Sequence, residues 1–239
     1  MVKKTNIAII PARGGSKRIP RKNIFSFNGR PMLAWTVQAA LESGCFDQVL
    51  VSTDDPEIAQ EAITAGASVP FYRTQNADDQ SPVSLATLSA LRQAEQHWDT
   101  RFDQVVQLMP NCPLRTSDDI GSALKNFAES GSFFQISCFQ FGWMNPWWAA
   151  RLQVDGKPSP IFPEALLKRS QDLDRLFCPT GAIWVAERDS FLKYETFYGP
   201  DYRFFPLAWE SAIDIDNLDD LQMALMIARL RQLKVGNSP

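Results

Sequence analysis

Two short runs of the sequence carry residue types whose spacing suits chemistry on a phosphate. The first is Pro11-Ala12-Arg13-Gly14-Gly15-Ser16-Lys17-Arg18-Ile19-Pro20-Arg21-Lys22-Asn23, directly after the apolar stretch Asn6–Ile10. Its paired glycines let backbone N–H groups approach an anion closely, and five cationic side chains within ten residues supply charge-assisted hydrogen bonds to the oxygens. A polyphosphate is the natural ligand, with a solvated basic turn as the alternative. The spacing matches neither G-x-x-x-x-G-K-[ST] nor G-x-G-x-x-G, so the usual kinase and dinucleotide fingerprints are absent. The second run is Ile213-Asp214-Ile215-Asp216. In an extended segment, residues two apart share a side, so both carboxylates can meet one cation while the isoleucines face the core. Hard oxygen donors in a chain with a single histidine, His97, point to Mg²⁺ bound jointly with substrate phosphates. Two solvated aspartates ahead of a helix are the alternative.

These runs need a scaffold that delivers both to one crevice. Apolar stretches at Asn6–Ile10, Gln48–Ser52, Val69–Arg73, Gln104–Leu108, Phe133–Phe139 and Ala182–Ala186 read as strands rich in Val, Ile and Leu. Between and after them, Pro31–Ser43, Pro56–Ala65, Ser84–Gln96, Asp118–Glu129 and Leu218–Leu233 show apolar residues at three- and four-residue spacing and read as helices. The alternation implies βαβ units and a mainly parallel sheet, whose ligands sit beyond the carboxyl ends of the strands. Asp55 before Pro56 reads as a helix cap, and Asn217 with Asp220 as the cap of the last helix. From about residue 140 to 178 the rhythm fails. Trp143, Trp147, Trp148 and Phe162 lie among prolines and charges, as an insertion that either packs its own aromatics or offers an oligomer surface.

Composition removes other classes. A net charge of −3 provides no broad cationic field, so nucleic-acid binding is not expected. No apolar run approaches the length of a membrane span, and the first one breaks at Pro11 and Arg13, short of a signal-peptide core. A cytoplasmic protein without a membrane partner is expected. Cys45, Cys112, Cys138 and Cys178 are too scattered for a zinc knuckle or a disulfide framework. One compact unit, residues 1–239, is the simplest division.

IAIIPARGGSKRIPRKNI and the following GRPMLAWTVQAALESGCFDQVLVSTDDPEIA resemble the acylneuraminate cytidylyltransferase family, with its bacterial pseudaminic and legionaminic relatives. LMPNCPLR (Leu108–Arg115), KRSQDL (Lys168–Leu173), PTGAIWV (Pro179–Val185) and IDID continue the match in order along nearly the whole chain. The resemblance implies an α/β, Rossmann-like three-layer nucleotide-diphospho-sugar transferase fold with a mostly parallel sheet. It also implies a homodimer built through the inserted lobe, and transfer of CMP from CTP to an acidic nine-carbon sugar with release of pyrophosphate. Carried over by position, Ala12, Arg13, Gly14, Ser16, Lys22 and Asn23 would hold the nucleotide, with Arg73 and Ser84 closing over it. Arg73 also reads as a strand-end salt bridge and Ser84 as a helix cap. Arg13 and Lys22 would neutralise the leaving pyrophosphate, and Asp214 and Asp216 would hold Mg²⁺. Met109, Arg169 and Gln171 would meet the acceptor sugar, partly across the dimer; a surface ion pair is the other reading of Arg169. Related enzymes show Gln-Pro-Thr-Ser-Pro-Leu-Arg where this chain has Met109 through Arg115, a departure at the acceptor side.

Overall fold

A computed structural model describes residues 4–74 and 82–236. Six strands form the main sheet: β1 (Asn6–Pro11), β4 (Gln48–Ser52), β5 (Gln104–Gln107), β6 (Phe134–Gln140), β9 (Phe177–Glu187) and β10 (Arg203–Pro206), in the order β10-β6-β9-β5-β1-β4. Two small hairpins, β2 (Ser26–Phe27) with β3 (Arg30–Pro31) and β7 (Ala150–Leu152) with β8 (Pro158–Pro160), stand apart from it. The helices are α1 (Met32–Glu42), α2 (Pro56–Thr64), α3 (Val83–Trp98), α4 (Ser117–Ser130), α5 (Arg188–Tyr194) and α6 (Leu218–Gly236).

Both faces of the sheet are buried, which the Ile- and Val-rich strands require. Ala8 and Ile10 of β1 pack into a core shared with α1, α2 and α4, whereas Ile7 and Ile9 face a second core with α3 and α5. A third cluster matters most for function. Ile19 of the cationic turn packs with Ile213 and Ile215 of the acidic run and with Leu221, Ala224, Ile227 and Ala228 of α6. Apolar burial thereby ties together two runs almost two hundred residues apart. The caps at Asp55 and Asn217 form as expected: Asp55 Oδ1 accepts from Glu57 N and Ile58 N, and Asn217 Oδ1 accepts from Asp219 N and Asp220 N.

Five of the six strands share one direction, and β9 alone runs antiparallel to its neighbours, β5 and β6, which makes the mainly parallel sheet a mixed one. Two expectations need correction. Val69–Arg73 is no strand; pairing there is a single bridge between Leu50 and Ser68. Pro70 lacks the N–H that a ladder would need next. β9 also begins at Phe177, inside the expected insertion. Before it the chain forms the β7–β8 hairpin and short 3₁₀ turns, in which Trp147 meets Phe162 edge-on and donates from Nε1 to Asp174 O. Elsewhere in that segment Trp143 and Leu167 stand 86% and 95% exposed.

Candidate active site

A cleft of about 520 Å³ opens beyond the carboxyl ends of β1 and β5. Arg13, Ser16, Lys17, Arg18, Lys22 and Asn23 form one wall, Met109, Pro110 and Asn111 another, and Asp214 and Asp216 face it from the end of the chain. Arg73 completes the lining together with Val83 and Ala86 of α3.

The cationic turn is shaped mainly by its own polar contacts. Asn23, nearly buried, donates from Nδ2 to Arg13 O at 2.8 Å, and Gly14 N donates to Asp54 Oδ1 at 3.0 Å. A Cβ on Gly14 would come within 2.7 Å of Asp55 Oδ2, so a side chain there would force Asp55 to shift. Arg21, in the left-handed region at φ 55°, turns away from the cleft onto both oxygens of Asp55 and onto Glu57. It therefore anchors the turn to α2 and leaves the other four cations facing the cleft.

Asp214 and Asp216 do share a side, with Ile213 and Ile215 buried behind them. Lys22 Nζ donates at 2.9 Å both to Asp216 Oδ1 and to Ile215 O, and Arg18 Nη2 lies 2.9 Å from Asp216 Oδ2. Burial alone would raise the Asp216 pKa, but the hydrogen bond and charge of Lys22, helped by Arg18, hold it below the usual carboxylate value. Asp214 is open to water across the cleft mouth yet walled by protein elsewhere. That burial, with the neighbouring Asp216 charge, pushes its pKa up to about 6. Asn111 Nδ2 donates to Asp214 Oδ1.

Arg73 is 7% exposed, and its Nε and Nη2 find no hydrogen-bond partner among the described residues. Asp54 approaches only to 3.8 Å. Burial, augmented by the Arg13 charge and opposed by Asp54, draws its pKa below the ordinary arginine value. A buried guanidinium whose donors are idle among the described residues, at the edge of a cleft, suits an anion bound there. Opposite, Met109 packs on Gly181 of β9, where a Cβ would lie 2.7 Å from Met109 Cγ.

Such a cleft, cationic on one wall with paired acids facing it, suits a nucleoside triphosphate. Residues 7–194 match the family model described as Cytidylyltransferase. The chain belongs to this family. It is 34% identical over 226 residues to the pseudaminic acid cytidylyltransferase of Campylobacter jejuni, covering 94% of this chain and 97% of that one. It is 32% identical to the CMP-N,N'-diacetyllegionaminic acid synthase of Legionella pneumophila, covering 95% and 97%. Among solved structures, a CMP:2-keto-3-deoxy-manno-octonic acid synthetase complexed with CTP shares the fold at TM-score 0.68 and 19% identity, over 95% of this chain and 99% of that one.

Within this cytidylyltransferase the expected site residues divide sharply. Arg13, Ser16, Lys22, Asn23, Arg73, Met109, Asp214 and Asp216 meet at one cleft. Ala12 is wholly buried in the core, and Gly14 is occupied by Asp54 and Asp55; both support the turn from behind. Ser84 is buried in the first turn of α3, while Pro82 takes the cap position, so Ser84 is not the cap of that helix. Arg169 pairs with Asp172 on the surface, and Gln171 is exposed beside it, both outside the cleft lining. His97 lies at the exposed end of α3, edge-on to Phe71 and Trp98. Asn111 and Arg18 escaped the sequence assignment. Arg18 was visible as one of the turn's cations, whereas Asn111, four residues past the end of β5, carried no local signal of its own.

Proposed function

We propose that the protein transfers CMP from CTP to the anomeric hydroxyl of a nonulosonic, sialic-type acid and releases pyrophosphate. The observation that carries this reading is the direct contact of Lys22 with Asp216, which sets the cationic turn and the acidic couple against one cleft. The names of the relatives supply the acceptor class, since they act on pseudaminic and diacetyllegionaminic acids. Arg13, Ser16, Lys22, Asn23 and Arg73 hold the nucleotide; Arg13 and Lys22 offset the charge that grows on the departing pyrophosphate. The acceptor enters over Met109, which leaves an apolar wall there. Chemistry of this kind rests on positioning and charge, and no side chain of the cleft stands out as a general base.

Asp214 and Asp216 would hold Mg²⁺. The donor set fits: two carboxylates on one side, open to the cleft, with no imidazole or thiolate among the cleft-lining residues. When bound, the ion supplies charge stabilisation to the phosphoryl oxygens.

The unit 1–239 is read as a three-layer transferase domain of Rossmann-like type that works in the cytoplasm as a homodimer. Exposed Trp143 and Leu167 support the segment 140–178 as the dimer surface, from which Arg169 and Gln171 would reach the acceptor in a partner's cleft. Among the described residues no helix is long and apolar enough to cross a membrane.

Pyrophosphate release with CTP, tested against pseudaminic, legionaminic, sialic and eight-carbon Kdo acceptors, checks the reading. Turnover with at least one nine-carbon acid is expected, and loss of at least about 100-fold in the Asp214→Ala, Asp216→Ala double variant. Turnover confined to Kdo, or a fully active double variant, overturns it.

A further inference from the structure

Among the described residues, Asp214 has one hydrogen-bond donor, and it comes from a residue outside both chemical runs. Asn111 Nδ2 reaches Asp214 Oδ1, lies 3.3 Å from Ile215 O and 3.5 Å from Asp216 Oδ1. Its backbone joins the same segment, because Ile215 N donates to Asn111 O at 2.9 Å. Asp216 is held differently, by Lys22 and Arg18. Asp216 is thus held mainly by cations and Asp214 by a neutral amide, which touches Asp216 only at the limit of hydrogen-bond distance.

Asn111 itself is held rigidly. It is 5% exposed, and Pro110 and Pro113, whose rings fix φ, bracket it. Cys112 N donates to Met109 O and Arg115 N to Cys112 O, closing a double turn. Fully buried Cys112 pegs this turn into the core, and buried Arg115 donates from Nη1 to Ala182 O at 2.5 Å and to Met109 O at 3.4 Å. An amide on such a support can fix a carboxylate rotamer.

We infer that Asn111 is a positioning residue: its side-chain amide holds Asp214 beside Asp216 so that the pair converges on one divalent cation. The inference rests on the metal reading of the couple. An aliphatic side chain at 111 keeps the backbone tie through Ile215 N and removes only the donor. Asp214 then rotates freely beside Lys22 and Arg18, and the couple loses its convergence. Partners that orient ligating groups typically alter metal affinity by about 10- to 100-fold when removed.

The test is Mn²⁺ binding followed by electron paramagnetic resonance, with CTP present and no acceptor sugar, so that turnover is not the readout. Asn111→Leu is compared with Asp214→Ala and with Asn111→Thr, which restores a donor. The expected result is loss of Mn²⁺ binding in Asp214→Ala and about 10- to 100-fold weaker binding in Asn111→Leu. Asn111→Thr should recover part of that loss. Parent-like Mn²⁺ affinity in Asn111→Leu while Asp214→Ala has lost it overturns the positioning role alone. Unchanged affinity in Asp214→Ala overturns the metal reading and the inference with it. Should Asn111→Leu fail to fold, Asn111→Ala is read in the same assay against the same two outcomes.

Discussion

Replacing Arg73 by methionine should move stability and nucleotide affinity in opposite directions. Among the described residues its guanidinium is buried with two idle donor nitrogens and an acid no closer than 3.8 Å, so it costs desolvation that little repays. Methionine fills much of the same volume without a charge. The variant should therefore gain on the order of 1 kcal/mol, which for a chain of this length raises Tm by roughly 2–4 °C. Hydrogen bonds to charged partners contribute about 1.5–3 kcal/mol, so CTP should bind about 10- to 150-fold more weakly. Thermal melts with and without CTP, together with calorimetric titration, read both quantities on the same sample. CTP-induced stabilisation should shrink as intrinsic stability rises. A variant that melts several degrees lower and still binds CTP like the parent would refute the reasoning, since Arg73 would then be a structural residue.

Gly181→Ala places a methyl group against Met109 and must push that side chain toward the cleft, so KM for the acceptor sugar should change several-fold while the CTP constant holds, as steady-state kinetics would register. Gly14→Ala collides with Asp55 Oδ2; a loss of about 1–3 kcal/mol in urea denaturation is expected, together with weaker CTP binding because the turn must shift. Asp55 has its pKa depressed chiefly by the hydrogen bond from Arg21, with the α2 backbone N–H groups adding to it. Its stabilising contribution is thus complete above the unfolded carboxylate value and disappears as pH falls through the lower folded one. The urea midpoint gap between the parent and Asp55→Asn, which keeps a capping side chain, should narrow from pH 5 toward pH 2.5; a gap that widens toward acid contradicts the assigned sign.

How far the sequence revealed this molecule depended on whether a feature was local. β1, β4 and α1 could be read because continuous apolar runs and three- and four-residue spacing express burial directly. α5 and β10 were missed: seven residues of helix and an Arg-Phe-Phe-Pro edge strand are too short to show a period. The direction of β9 leaves no trace in its composition, since a strand buried on both faces is apolar whichever way it runs. In the cleft, the glycine-and-cation turn and the alternating Ile-Asp run were legible because each carries its pattern within a few residues. Asn111 was not, because its role exists only through contact with residues 103 and 105 positions further along the chain. Arg21 looked like one more phosphate ligand, and only the folded turn assigns it to Asp55.

The Ile213–Asp216 segment is a two-letter code in which oil and acid strictly alternate across a one-residue step. Adding or deleting a single amino acid just upstream would exchange the two sets at once, sinking the carboxylates into hydrocarbon and lifting the isoleucines into the crevice. A point substitution removes one ligand or one core residue at a time, whereas a frame slip displaces all four together in one event.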